Sequence, residues 1–242
     1  MHPSVGHAGS IVNGVPRIGF QKGGKAAQWK DEEMAELFLN KAKQFVNDHK
    51  DAPFFLYYGL HQPHVPRVPN ERFAGQSGMG PRGDVILEAD WCVSEFLKEL
   101  DKLGIEIIEA GIPAMGIEEI NGIKALLNLK LKSEIMTWNR IVEEDIIESL
   151  KCGVKNIHIS APVSDIHIEK KLNKNKKWVL EQTKKCIRIA QDFGVKISLG
   201  AEDSSRANFN FLLEYYQMAK AEGVSRIRFA DTVSCLTPLT AY

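Results

Sequence analysis

The sequence predicts an α/β protein whose larger part is a parallel β-sheet, and three observations carry that prediction. From residue 105 onward, short apolar runs of strand length alternate with stretches of helix length. Three of the helical stretches stop just before Gly153, Gly194 and Gly223, and glycine is the residue that most easily takes the left-handed conformation closing a helix. Polar residues gather directly after the strand-like runs: Glu109, Trp138-Asn139-Arg140, Ser160 to His167, Glu202 to Arg206, and Asp231-Thr232. Parallel strands are joined only through crossovers, so this alternation requires a parallel sheet, and ligands of such sheets sit at the carboxyl ends of strands. The placement suits a barrel and an open α/β sheet alike.

Taken in chain order, residues 1–30 are glycine-rich and read as loop. Met34, Leu37, Phe38, Ala42, Phe45 and Val46 then recur mostly at three and four residues, which predicts a helix over 31–48 with Asp31 able to cap its start. The continuous aromatic run 54–58 reads as a strand buried on both faces. Pro63, Pro66 and Pro69 forbid a helix in 59–69, leaving a shaped loop, and the glycines of 70–83 extend it. A second helix is predicted over 84–103, with Ile86, Ala89, Val93, Phe96, Leu97, Leu100 and Leu103 on its apolar face. Strands follow at 105–110, 131–136, 154–160, 195–201 and 224–230, with helices at 116–128, 140–151, 174–192 and 208–221.

Composition excludes some classes of function. The chain has 242 residues, is 44% apolar, and balances 31 Lys and Arg against 31 Asp and Glu, so it is neither disordered by composition nor drawn to nucleic acid by net charge. No stretch reaches the roughly 18–20 apolar residues that span a bilayer, so no membrane role is expected. The start MHPSVGHAGS lacks the basic and apolar regions of a signal peptide, which predicts a cytoplasmic location. Cys92, Cys152, Cys186 and Cys235 lie far apart, as reduced thiols do, without the pair spacing of a zinc site.

In the first hundred residues, His61 and His64 stand three apart on the proline-stiffened loop, with Arg67 nearby. Two imidazoles and a guanidinium can gather around an anionic oxygen group, although a surface role fits the spacing as well. The stretches 8–14, 23–27 and 29–31, the run PFFLYYGLHQPHVPRVPNERFAGQSGMGPRGD over 53–84, and Glu88 to Cys92 together resemble the interior of arylsulfatase-like enzymes of the alkaline-phosphatase superfamily. The resemblance implies a sulfate contact for His64, site-lining or structural roles for His61, Arg67 and Asp90, and a family chemistry of calcium with a formylglycine nucleophile. Enzymes of that kind can be exported. No cysteine here begins the C/S-x-P/A-x-R motif that yields formylglycine, and the family's metal-binding Asp and Asn pairs are absent from the text.

In the remainder, Glu109 precedes a sharp turn at Ala110 to Pro113 and suits a metal ligand, a hydrogen-bond acceptor or a helix cap. His158 alternates with Ile157 and Ile159, as either a sheet-face group or a satisfied core histidine. Ser160, Ser164, Asp165 and His167 follow on one strand end, and Glu202, Asp203 and Arg206 on the next; charges that converge are costly unless they meet each other or a polar ligand. The expected ligand is a small anionic molecule.

The motifs IIEAGIPAMG (107–116), KSEIMTWNR (132–140), NIHISAPVSDIHI (156–168), GAEDSSRA (200–207) and RFADTVSCLTP (228–238) resemble homocitrate synthase, in the acyltransferase family that includes isopropylmalate synthase. The resemblance implies a partial (β/α)8 TIM-barrel-like sheet, strands two to six, and a reaction joining acetyl-CoA to 2-oxoglutarate with a divalent metal on the oxo acid. It places Glu109, His158, Ser160, Arg206 and Thr232 around the oxo-acid pocket, with Arg206 and Thr232 on its carboxylates and Glu202 and Asp203 at the mouth. The family's metal-binding R-D-G-x-Q and H-x-H motifs do not occur, so the catalytic set is expected to be incomplete and the segment inactive.

The chain therefore reads as chimera-like, a sulfatase-like α/β fragment over 1–104 and a synthase-like segment over 92–242, sharing the amphipathic helix that ends at Gly104. Three functions follow as expectations: an acyltransferase segment, a sulfuric-ester hydrolase fragment, or a non-catalytic anion-binding α/β protein. Sheet edges left open are expected to favour self-association.

Overall fold

The computed structural model describes residues 11–12, 15–16, 30–65 and 67–241, and the chain divides into two units, Met1–Gly104 and Ile105–Tyr242. The sulfatase-like stretches at 8–10, 13–14 and 23–29 lie outside the described residues, as does Pro66. Within the predicted leading loop, Ile11–Val12 (β1) and Val15–Pro16 (β2) pair antiparallel.

The first unit is built on two helices. A 3-10 turn at Asp31–Glu33 leads into α1, Met34–Asp48, which buries Met34, Ala35, Leu39, Ala42 and Val46, while Leu37 and Phe38 of the predicted stripe are exposed. Helix α2 spans Gly80–Lys102 and begins four residues before the prediction, because Pro81 in its first turn carries a preset helical φ and forfeits no intrahelical bond there. Asp84 fastens the preceding loop to this helix by accepting from Gly75 N, Ser77 N and Ser77 Oγ. The core unites Ala35, Leu39 and Cys92 with Tyr58, Leu60, Trp91 and Phe96.

The predicted strand at 54–58 does not form. Phe55 is 87% and Tyr57 85% exposed, whereas Tyr58 packs into the helical core with its ring edge-on to Phe96. The other strands described in this unit are two residues long and paired with each other, so the aromatic run has no sheet neighbour to bury both its faces. Phe54, Phe55 and Tyr57 are exposed, while Leu56 and Tyr58 are half-buried.

The second unit is a five-stranded sheet. Its strands are β3 (Ile107–Gly111), β4 (Glu134–Arg140), β5 (Asn156–Pro162), β6 (Lys196–Glu202) and β7 (Arg226–Phe229). They pair in chain order and all in parallel. Between them run α3 (Ile117–Asn128), α4 (Glu143–Cys152), α5 (Lys176–Asp192) and α6 (Phe209–Ala221), and α7 (Pro238–Ala241) follows. Gly153, Gly194 and Gly223 follow α4, α5 and α6 at φ of 89°, 68° and 73°. Strand β4 differs from its prediction: Trp138, Asn139 and Arg140 belong to the strand instead of the loop after it, because Arg140 pairs with Ser160 and is held by Asp145 through its backbone N and guanidinium.

A strand order that never reverses, with the right-handed crossovers usual for parallel strands, puts every helix on one face. Ile157, Ile159, Ala161, Leu199 and Ala201 of the central strands are buried on that face with Ile146, Val179, Ile187 and Tyr215 of the helices. The opposite face is concave. Glu109 on β3 and Arg228 on β7 meet at 2.8 Å although four strand spacings separate them, about 19 Å in a flat sheet. An Arg and a Glu together do not span that distance, so the sheet curls as an arc of a barrel.

Candidate active site

Period-two alternation assigns side chains to the concave face. Asn139 and Thr137 turn to the helices, where Ser149 Oγ of α4 donates to Asn139 Oδ1 at 2.6 Å; Trp138 and Arg140 therefore turn the other way. The register carries this face across the sheet, Trp138 beside His158 beside Ser198, and Arg140 beside Ser160 beside Gly200 beside Arg228. His158 is 1% exposed, with Nδ1 2.9 Å from Ser198 Oγ. Burial pushes its imidazole down to about 4, helped by the positive charge of Arg228 and opposed by Glu109. The ring is thus neutral near pH 7.

Both readings left open for His158 hold together, since it faces the sheet interior and is satisfied by a hydrogen bond. Glu109 stands within β3 and pairs with Arg228; the backbone N of Ile112, where a capping role was open to it, donates instead to Glu119 Oε1 at 2.8 Å. Below this level the concave face opens into a polar cavity of about 450 Å3, whose lining includes Lys132, Glu134, Asn156, Lys196, Ser198 and Arg226.

A second cluster stands at the carboxyl ends of β5 and β6, centred on Asp203. This residue takes a left-handed backbone, φ 61°, and is fully buried. Arg206 donates to its carboxylate from Nε at 2.8 and 3.0 Å and from Nη2 at 2.6 Å, and Ser164 Oγ donates at 2.5 Å. The Arg206 fork, against the cost of burial, holds the Asp203 carboxyl below the usual range. The backbone N of Asp203 donates to Thr232 Oγ1 at 2.8 Å. Glu202 accepts from Lys171 Nζ at 2.6 Å and lies 3.3 Å from His167 Nδ1, without hydrogen-bond geometry.

The structure thus gathers Glu109, His158 and Ser160 on the concave face and Glu202, Arg206 and Thr232 just beyond it. Arg206 and Thr232, expected to hold ligand carboxylates, both spend bonds on Asp203. Arg228 was not singled out from the sequence. The available signal was the alternation Arg226-Ile227-Arg228-Phe229, which puts two guanidinium groups on one face of one strand.

A divalent metal does not fit the residues present. Among the described residues no group of three or more His, Cys, Asp and Glu is placed to hold an ion. Four carboxylates near the concave face already meet cations: Glu109 with Arg228, Glu134 with Lys196, Glu202 with Lys171 and Asp203 with Arg206.

In the first unit, His64 is exposed and its Nδ1 lies 2.7 Å from Val65 O, while Arg67 Nε donates to Pro63 O at 3.1 Å. Glu88, buried in α2, pins both ends of this loop by accepting from Gln62 Nε2 at 2.9 Å and Asn70 N at 3.1 Å. The rings of His61 and His64 stand 6.0 Å apart. His64 and Arg67 thus turn toward backbone carbonyls of their own loop.

Known proteins match the two parts separately. The profile of the HMGL-like family matches residues 92–242, and that of the Sulfatase family residues 12–106. The 2-isopropylmalate synthase 2 of Caldanaerobacter subterraneus is 47% identical over 143 residues, 59% of this chain and 37% of that protein. The N-acetylgalactosamine-6-O-sulfatase of Bacteroides thetaiotaomicron is 47% identical over 135 residues, 50% of this chain and 26% of that protein. Among solved structures, the HMG-CoA lyase of Bacillus subtilis superposes with a TM-score of 0.51 at 15% identity, over 60% of this chain and 52% of that one, a likeness of fold. The chain thus spans little more than a third of the first of these relatives and about a quarter of the second.

Proposed function

The chain belongs to the HMGL-like family, with a sulfatase-like region ahead of that part, and from this premise we propose that residues 105–242 form the oxo-acid-binding arc of an acyl-CoA-dependent condensing enzyme. The observation that carries the reading is the concave sheet face, where a buried neutral His158 stands beside the Glu109–Arg228 pair in the interior of a parallel barrel-like arc. Polar and charged groups held on a sheet interior call for a polar ligand. A 2-oxo dicarboxylic acid, as in homocitrate synthase, offers carboxylates to guanidinium groups and a carbonyl oxygen to an imidazole N–H. Ser160 lines the same face, and Glu202, Arg206 and Thr232 form its mouth.

NMR titration with 2-oxoglutarate tests this. Resonances of His158 and Gly200 should shift, with those of α1 and α2 unchanged; shifts confined to the first unit, or none, would overturn it. We expect no acetyl-CoA-dependent homocitrate formation with added Mg2+ or Mn2+, because Glu109, Glu134, Glu202 and Asp203 near the face already pair with cations. Turnover abolished by Arg206→Ala would sink that expectation.

For the sulfatase-like region we propose anion contact through His64 without hydrolysis of an aryl sulfate; hydrolysis lost on His64→Ala would contradict it. No described helix is long and apolar enough to cross a membrane. Strand β7 is exposed along all four residues at the end of the sheet, which supports self-association through sheet edges, a property that light scattering over a concentration series would reveal.

A further inference from the structure

On the concave face His158 packs against a position that only a glycine can hold. A Cβ at Gly200 would lie 2.5 Å from His158 Nε2 and 3.2 Å from Ser160 Oγ, so the His158 ring fills the place that a side chain at residue 200 would take. His158 Nδ1 is engaged by Ser198, and among the described residues Nε2, which lies against Gly200, has no hydrogen-bond partner. When the Ser198 hydroxyl donates to Nδ1, the neutral ring carries its hydrogen on Nε2.

Arg228 is the ladder neighbour of Gly200. Its guanidinium makes one bond, from Nη2 to Glu109 at 2.8 Å, whereas Arg206 makes three to Asp203. Most of the five N–H donors of Arg228 are therefore available to a ligand. The side chains of Arg228 and Glu109 are 44% and 37% exposed, and ion pairs so open to water are weak. A second carboxylate can displace the first.

Resting on the oxo-acid reading above, we propose that Arg228 receives a carboxylate of the oxo acid and that Glu109 occupies Arg228 until the ligand replaces it. The fork of a guanidinium matches a carboxylate by two parallel bonds, a geometry that the single bond to Glu109 does not use. Glu109 thereby acts as a built-in competitor, and removing its charge should favour the ligand.

Calorimetric titration of the full chain with 2-oxoglutarate decides the matter. Arg228→Ala should weaken binding at least about tenfold, the loss expected for a charged hydrogen-bonded contact. Glu109→Gln should tighten it about threefold by freeing the guanidinium, an effect that loss of fold cannot produce. Arg188→Ala removes an equal charge from the exposed face of α5, where Arg188 pairs with Glu222, and should leave the affinity unchanged. If wild type shows no saturable binding, this inference and the oxo-acid reading both fall. If wild type binds while Arg228→Ala binds equally well, or Glu109→Gln binds more weakly, only the assignment of Arg228 and Glu109 falls.

Discussion

Asp203 shows how a single residue can organise a strand end. It is fully buried in a left-handed conformation that Asp tolerates better than most residues, and it gathers Arg206, Ser164 and Thr232. Asp203→Ala strands the Arg206 charge and the Ser164 hydroxyl and should cost about 3 kcal/mol, while Asp203→Asn, which keeps an acceptor and the same backbone preference, should cost less; urea unfolding of the two variants checks the order. His158 supplies a pH dependence. Its folded value of about 4 lies below the usual 6.5, so as pH falls the unfolded chain takes the proton first. Stability should be full above about pH 6.5 and should decline between there and about pH 4, by at most about 3 kcal/mol. The decline should vanish in His158→Gln; an unaltered slope in that variant would refute the assignment.

At the scale of elements, caps and alternation account for most of what forms. Asn175 and Asn208 stand before α5 and α6, and their side chains accept from Trp178 N at 2.8 Å and Phe211 N at 3.2 Å. Asn175→Ala should cost about 1 kcal/mol and Asn175→Asp almost nothing, measured as a change in denaturation midpoint, because only the first removes the acceptor. Helices α3 to α6 were legible to within three residues at each start, since each has an apolar stripe and a glycine or polar cap, whereas the short α7 was not foreseen. The run 54–58 was misread for a physical reason. Aromatic continuity registers burial, but a strand also needs a partner to take its backbone hydrogen bonds, and partners are a property of the sheet.

For the whole molecule, two units with separate cores imply two cooperative transitions. Leu39 is 1% exposed in the first core, so Leu39→Ala should lower the transition reported by Trp91 by about 2–5 kcal/mol while leaving the one reported by Trp138 and Trp178 in place. A single midpoint shared by all these tryptophans, shifted as one by that substitution, would refute the division. The matches to two families overlap over residues 92–106, from the second half of α2 to just past its end, and one amphipathic helix can satisfy either parent because it needs only one apolar stripe.

The sequence by itself determined the alternation of strands and helices, the glycines that close three helices, and the place of Ser164, Asp203 and Asp231 beyond strand ends, because these depend on side-chain periodicity and backbone preference within a few residues. Only the tertiary structure decided how those residues are used. Curvature brings Glu109 within reach of Arg228 across 119 positions of chain, and Asp203 takes up the guanidinium of Arg206 that the sequence left free for a ligand. Such pairings arise from the bending and register of a whole sheet, and no local pattern of residues encodes the distance between its first and last strands.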